Sequence, residues 1–258
     1  MHVERRVRDV LYDVVAGLFR LGFRLFRWSF DARGQEHIPA TGPVIVASNH
    51  ISYLDFSFVA LCQRRRRIRY MVRSDVMHTP VVGAALRALR QIEIDPYGDA
   101  RPGYRDALGA LRAGDVVGIF PEGTISPSFV PMEGRAGAAR LAAAAGAPIV
   151  PVAVWGSQRV LTKGRDPRPA RGIPILVRYG EPLLVERRAD SRQATDELMA
   201  RIEQLLKQAQ DDYPDQPAGP DDRWWLPAHL GGTAPTVEEA AAMIARQNEE
   251  RRSQGSRD

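Results

Sequence analysis

Between Val44 and about Val185, short runs rich in β-forming residues alternate with helical stretches. The runs are Val44–Ser48, Ile68–Val72, Ile92–Ile94, Val116–Phe120, Ile149–Val154 and Ile175–Tyr179. Helices are predicted between them near Asp55–Cys62, Val81–Arg90, Gly103–Arg112 and Arg135–Ala145. This alternation predicts an α/β layer fold with a central, mostly parallel or mixed sheet flanked by helices. Runs such as VIVAS and VVGIF are almost wholly apolar, as expected of strands covered on both faces. No internal repeat at solenoid spacing interrupts the pattern.

Upstream, Val7, Leu11, Val14, Leu18, Leu21, Leu25 and Trp28 recur at alternating four- and three-residue steps. At about 100° per residue they share one face of a helix, widened by Val10, Val15, Phe19, Phe23 and Phe26. Asp9, Asp13, Arg20, Arg24 and Arg27 occupy the opposite arc, with Arg8 on the apolar side. A broad apolar face with arginines in its second half suits a helix lying in a lipid headgroup layer. Packing against the body of the protein is the alternative. Downstream, a helix is predicted from about Arg192 to Gln210. A Pro/Gly/Asp stretch (Asp211–Pro220) follows, then an exposed-looking Trp224–Trp225 pair, for which packing and interfacial anchoring are both open. A last helix opens at Thr236, where T-x-x-E with Glu239 reads as a capping box. The expected organisation is an N-terminal amphipathic helix (1–30), an α/β domain (31–188) and a C-terminal helical appendage (189–258).

Composition narrows the picture. With 44% hydrophobic and 26% charged residues the chain has the balance of a folded core. Cys62 is the one cysteine, which precludes an internal disulfide, argues against a cysteine-based zinc site and suits a reducing compartment. No uncharged apolar stretch is long enough to span a bilayer, and Arg20, Arg24 and Arg27 break any signal-peptide pattern. The protein is therefore not expected to cross a membrane. Of the formal +5 charge, the residues from Ala189 onward carry −6, from 14 acids and 8 bases, which leaves +11 on the first 188. Such a body attracts phosphates or acidic lipids. The run Arg64–Arg67 with Arg69 and Arg73 adds six arginines without an acid in ten residues. It reads as a solvated turn, as a contact for an anionic membrane or as a holder of cofactor phosphates. No aromatic interleaving accompanies it, so nucleic acid is not an expected partner.

The sharpest chemical signal is Asn49-His50-Ile51-Ser52-Tyr53-Leu54-Asp55, directly after VIVAS. On one continuous helix His50 and Asp55 would face different ways. Across a strand-to-helix turn, the carboxylate can reach back to the imidazole and prepare it as a general base. The same residues contain S-x-x-D, a helix-capping pattern, so a structural reading stands beside the catalytic one. Two further strand ends carry polar residues: Phe120-Pro121-Glu122-Gly123-Thr124 after VVGIF, and Ile92-Glu93-Ile94-Asp95. In open α/β sheets ligands bind beyond the carboxyl ends of the strands, so these residues are expected to converge. Neither G-x-S-x-G nor a nucleotide-binding glycine pattern occurs.

These residues resemble the glycerolipid acyltransferases typified by 1-acyl-sn-glycerol-3-phosphate acyltransferase, the PlsC type. The family's N-H-x4-D matches Asn49, His50 and Asp55. F-P-E-G-T is complete at Phe120–Thr124, and Val150-Pro151-Val152 resembles the family's fourth element. The stretch Glu133–Ala142 looks like the helix between them, and the likeness covers roughly residues 30 to 185. Two positions depart. Asp95 is followed by Pro96, and Thr124 by Ile125, where the family usually has arginines associated with the acceptor's phosphate. Arg135 is the first choice to replace them, with Arg73, Arg101 and Arg105 as alternatives.

The resemblance implies a peripheral enzyme on the cytoplasmic face of the cell membrane. It would pass a fatty acyl group from acyl-CoA or acyl carrier protein to a lysophospholipid, 1-acyl-glycerol-3-phosphate, giving phosphatidic acid. It would use no metal and no cofactor beyond that thioester co-substrate. His50 is then the base, Asp55 its orienter, and Asn49, Glu122, Gly123, Thr124, Arg135 and Arg73 the substrate-binding set. The departures leave open another lysolipid or glycolipid acceptor. A non-catalytic membrane-surface protein is the reading from a different class.

Overall fold

A computed structural model describes residues 2–63, 66–95, 98–167 and 170–255, with side chains from Tyr12 to Glu250. Arg64, Arg65 and Pro96, and the side chains of Val7, Val10 and Leu11, lie outside the described residues. In chain order the main elements are α1 (His2–Leu25), β1 (Ser29–Arg33), β2 (Val44–Ser48), α2 (Asp55–Gln63), β3 (Ile68–Arg73), α3 (Ser74–Met77), α4 (Pro80–Ala88) and β4 (Ile92–Ile94). Then follow α5 (Arg101–Arg112), β5 (Val116–Ile119), α6 (Gly137–Ala145), β6 (Ile149–Trp155), β7 (Pro174–Tyr179), α7 (Ser191–Asp211) and α8 (Val237–Gly255). Short 3-10 turns lie between them, among them Ser157–Arg159 and Pro220–Trp225.

The seven strands form one mixed sheet in the order β1-β7-β6-β2-β5-β3-β4. Strands β6, β2, β5, β3 and β4 run parallel; β7 pairs antiparallel with β6, and β1 parallel with β7. Side chains alternate across β2. Val44 and Val46 join Phe58, Val152 and Val177 under α1 and α2. Ile45 and Ala47 face Leu111, Leu141 and Leu198, from α5, α6 and α7. Burial on both faces is why these strands read as continuous apolar runs.

Three elements differ from expectation. Strand β1 is short, polar and at the sheet edge, so no apolar run marks it. The segment after 189 is not an appendage: Leu198 and Ile202 of α7 sit in the same core as Ile45 and Val117. Beyond α7, Trp225 is fully buried against Trp155 and Tyr213, which decides for packing at that position. Trp224 stays half-buried with the Arg165 guanidinium over its ring. At Thr236 the capping box forms in both directions, each residue's side chain accepting from the other's backbone N–H.

The N-terminal helix divides its apolar arc between two tasks. Tyr12, Ala16, Phe19 and Phe23 pack on the sheet face, Phe23 touching Trp28, Phe30 and Phe58. Val14, Leu18, Leu21 and Leu25 point the other way, each more than half exposed. No helix among the described residues is long and apolar enough to cross a membrane.

Candidate active site

Strand β2 ends at Ser48, and the two residues that follow diverge in role. Asn49 is fully buried, its amide N–H donating to the Val154 carbonyl at 3.0 Å and its oxygen accepting from the Val154 N–H at 2.8 Å. It therefore clamps β2 to β6. Its amide is thereby engaged with backbone groups of β6. His50 turns to the carboxyl edge with its side chain 18% exposed, and Nδ1 lies 3.0 Å from Oδ2 of Asp55.

Asp55, the first residue of α2, is fully buried and matched by four donors. Its Oδ2 also accepts from the N–H groups of Ile51 (2.8 Å) and Ser52 (2.7 Å), and Oδ1 accepts from the Ser157 hydroxyl at 2.6 Å. One carboxylate thus makes both the contact to the turn's backbone and the expected contact to the imidazole. With Nδ1–H donating to Asp55, the Nε2 lone pair is the free basic site of the ring. Phe120 lies against the other face of the imidazole.

The loop after β5 wraps this turn. Glu122 is buried, its Oε1 accepting from the His50 N–H at 2.9 Å and its Oε2 from the Met132 N–H at 3.1 Å. It braces the backbone under the imidazole. Burial pushes its carboxyl up to about 8, the two backbone donors pull it down, and the charge of Asp55 adds to the rise. The Ser126 N–H closes the loop onto the His50 carbonyl at 2.8 Å.

Gly123 has φ +71°, a left-handed conformation that favours glycine, and a Cβ there would crowd the Arg135 guanidinium at about 3.1 Å. Arg135 itself is exposed, and Thr124 is half-buried with Lys163 Nζ 3.4 Å from its hydroxyl. Arg73 pairs with Asp75, through Nε at 3.0 Å and a second contact from the other guanidinium nitrogen, so its charge is engaged locally. Ile125, where the family resemblance led to an expected arginine, is buried. Among the alternatives, Arg101 pairs with Asp99. Arg105 lines a cleft with Arg69, Arg90 and Asp115, at the amino ends of β3 and β5, the opposite edge of the sheet. Within the basic run, Arg66 is spent on the carbonyls of Pro39, Gly42 and Gly114, which makes it a structural clasp.

Two residues escaped the sequence reading. Ser157 stands two positions beyond β6, as His50 stands two beyond β2, and that shared placement was the available signal. Lys163 is reached by the same loop. Between them the Leu161 carbonyl accepts from the Ser52 hydroxyl and the Tyr53 N–H, and the Thr162 hydroxyl donates to the Ile51 carbonyl. Segment 157–163 is thus laced across the turn that carries His50.

Residues 29–155 match the family model described as Acyltransferase. The chain is 25% identical over 152 residues to a 1-acyl-sn-glycerol-3-phosphate acyltransferase of Bacillus subtilis, covering 58% of this chain and 71% of that one. It is 26% identical over 235 residues to a lyso-ornithine lipid O-acyltransferase of Brucella abortus, covering 80% and 84%. Its fold is similar to the crystal structure of the 1-acyl-sn-glycerophosphate acyltransferase PlsC of Thermotoga maritima. That match has a TM-score of 0.66, 21% identity, and covers 83% of this chain and 86% of that chain.

Proposed function

We propose that this chain is a PlsC-like glycerolipid acyltransferase, as its matches suggest, and that it acylates the free hydroxyl of 1-acyl-glycerol-3-phosphate from an acyl thioester. The observation that carries the reading is the His50–Asp55 pair at the carboxyl edge of β2, with Nδ1 committed and Nε2 open. His50 Nε2 takes the proton of the acceptor hydroxyl as its oxygen bonds to the thioester carbonyl carbon. The C–S bond then breaks, and the imidazolium returns the proton to the leaving thiolate. The products are an ester, here phosphatidic acid, and a free thiol. Asp55 holds the ring and stabilises its charged form, and Phe120 supports it from the side. The donor, acyl-CoA or acyl carrier protein, supplies the activation, so no metal and no other cofactor enters the scheme. Arg135, Thr124 and Lys163 would receive the anionic headgroup.

In this reading the enzyme works at the cytoplasmic face of the cell membrane. The exposed stripe Val14, Leu18, Leu21 and Leu25 lies in the lipid, with Arg20 and Arg24 beside it at headgroup level. Val76, Val81 and Val82, exposed just beyond β3, supply a second apolar contact on the edge that carries His50.

The buried Ile125 favours a second acceptor class. With no cation at that position, a lysolipid lacking the phosphate, such as the one named for the Brucella relative, is the alternative. Thiol release from one acyl-CoA against a panel of lysolipids separates the cases. Release only with lysophosphatidic acid supports the first reading, and release only with another lysolipid supports the second. No release with any acceptor and either donor leaves a non-catalytic membrane protein. His50→Ala should lower turnover at least about 100-fold.

A further inference from the structure

We propose that Ser157 is the positioning residue that aims Asp55 at His50, and that the segment after α7 holds it in place. The inference rests on the catalytic reading of the dyad and goes beyond it, since Ser157 lies outside the matched residues 29–155. Asp55 divides its hydrogen bonds unequally. Oδ2 takes Nδ1 of His50 and two backbone N–H groups, while Oδ1 takes the Ser157 hydroxyl alone among the described residues. Both side chains are fully buried, so water does not stand ready to replace that donor. Without it, one carboxylate oxygen is buried unmatched, and the charge concentrates on the oxygen that faces the imidazole. Among the described residues, Glu122 and Tyr70 also feel this charge.

The position of Ser157 is itself imposed. Gly156 turns the chain at φ +92°, where a Cβ would strike the Pro174 carbonyl and the Tyr213 side chain. The Tyr213 hydroxyl donates to that same carbonyl at 3.0 Å. Gln158 accepts from the Gly156 N–H at 2.9 Å and donates to the Trp225 carbonyl at 3.1 Å. Residues 213 and 225 thus clamp the turn from which the hydroxyl reaches Asp55.

Ser157→Ala is the test, with His50→Ala measured beside it. The expected result is a kcat lower by about 10- to 100-fold, the worth of one hydrogen bond to a buried charge. The acceptor KM should stay near wild type, and the acid limb of kcat/KM should move to higher pH as the imidazolium becomes easier to form. Ser157→Cys, with a weak S–H donor in similar volume, should fall between. NMR titration of the His50 ring in either variant, without substrate, should show the same upward shift and serves if turnover is too low to profile. An unshifted ring and limb overturn the inference, whatever happens to the melting temperature, because a merely structural serine would move only the latter. If His50→Ala is inactive while Ser157→Ala turns over normally, the inference fails alone. If His50→Ala retains turnover, the dyad reading fails and takes the inference with it.

Discussion

The imidazole of His50 lies flat against the ring of Phe120, with centroids 3.9 Å apart and planes 12° from parallel. Phe120 is in turn stacked on Tyr70 at 5.6 Å, and Tyr70 meets Phe56, whose edge contacts Phe19 of α1. Asp55 fixes one edge of the imidazole and Phe120 fixes its plane. Phe120→Leu keeps apolar volume but loses the flat support. The expected outcome is a kcat about tenfold lower from ring misorientation, with a melting temperature within a few degrees of wild type. Unchanged turnover would show that Asp55 alone orients the ring.

Asp55→Asn tests the carboxylate by chemistry instead of by volume. Four donors converge on the group, and an amide presents an NH2 where one of them expects an acceptor. Stability should fall by about 1–3 kcal/mol. Turnover should fall between about 10²- and 10⁴-fold, because the tautomer with a free Nε2 lone pair is no longer enforced. Denaturant unfolding and thiol release measure the two losses. Lost stability with normal turnover would leave Asp55 as a helix cap only.

Glu122 makes stability depend on pH in the direction opposite to a salt-bridged carboxylate. Its folded value, about 8, lies above the ordinary 4.5, so the folded state binds the proton more tightly. That contribution is complete below about 4.5 and is lost as pH rises toward and through 8. Melting temperature should therefore decline between pH 5 and 8.5. Glu122→Gln should be less stable throughout, since its amide opposes the backbone N–H of His50 or Met132, and should show a flatter slope. Parallel slopes in the two proteins would refute the assignment of this titration to Glu122.

Much of this arrangement was legible along the chain, for a definite reason. Val44–Ser48 coincides with β2 because a strand buried on both faces leaves an uninterrupted apolar run, and Ile92–Ile94 coincides with β4 through its alternation of isoleucines about an exposed Glu93. The His50–Asp55 contact was legible because a polar residue directly past such a run has one edge to face. Strand β1 was not, since an exposed edge strand with sequence SFDAR carries no hydrophobic signature. The bracing roles of Asn49 and Glu122 were equally hidden. Their partners, Val154, His50 and Met132, are backbone groups, and backbone pairing leaves no trace in side-chain identity. The substitution at Ile125 was visible, but its burial was not, because a loop position has no period from which to infer its facing.

The two apolar faces of α1 allow membrane contact and folding to be tested separately. About 100° per residue places Ala16, Phe19 and Phe23 on one arc and Leu18, Leu21 and Leu25 on another, more than a quarter turn away. Phe23, 6% exposed and touching Trp28, Phe30 and Phe58, belongs to the fold, so Phe23→Ala should cost about 3–5 kcal/mol. Leu18 and Leu21, 63% and 53% exposed, bury little in the free protein. Leu18→Ser with Leu21→Ser should change stability by less than about 0.5 kcal/mol. The same pair should sharply reduce flotation with vesicles of phosphatidylcholine and phosphatidylglycerol, and Arg20→Gln with Arg24→Gln should make residual binding less sensitive to salt. Turnover on a soluble short-chain acceptor should survive both pairs, because neither touches the His50 turn. Full vesicle binding by the double serine variant would remove α1 as the anchor. It would leave Val76, Val81 and Val82 as the contact to test next, since they are the exposed apolar group on the edge where the acyl chains must arrive.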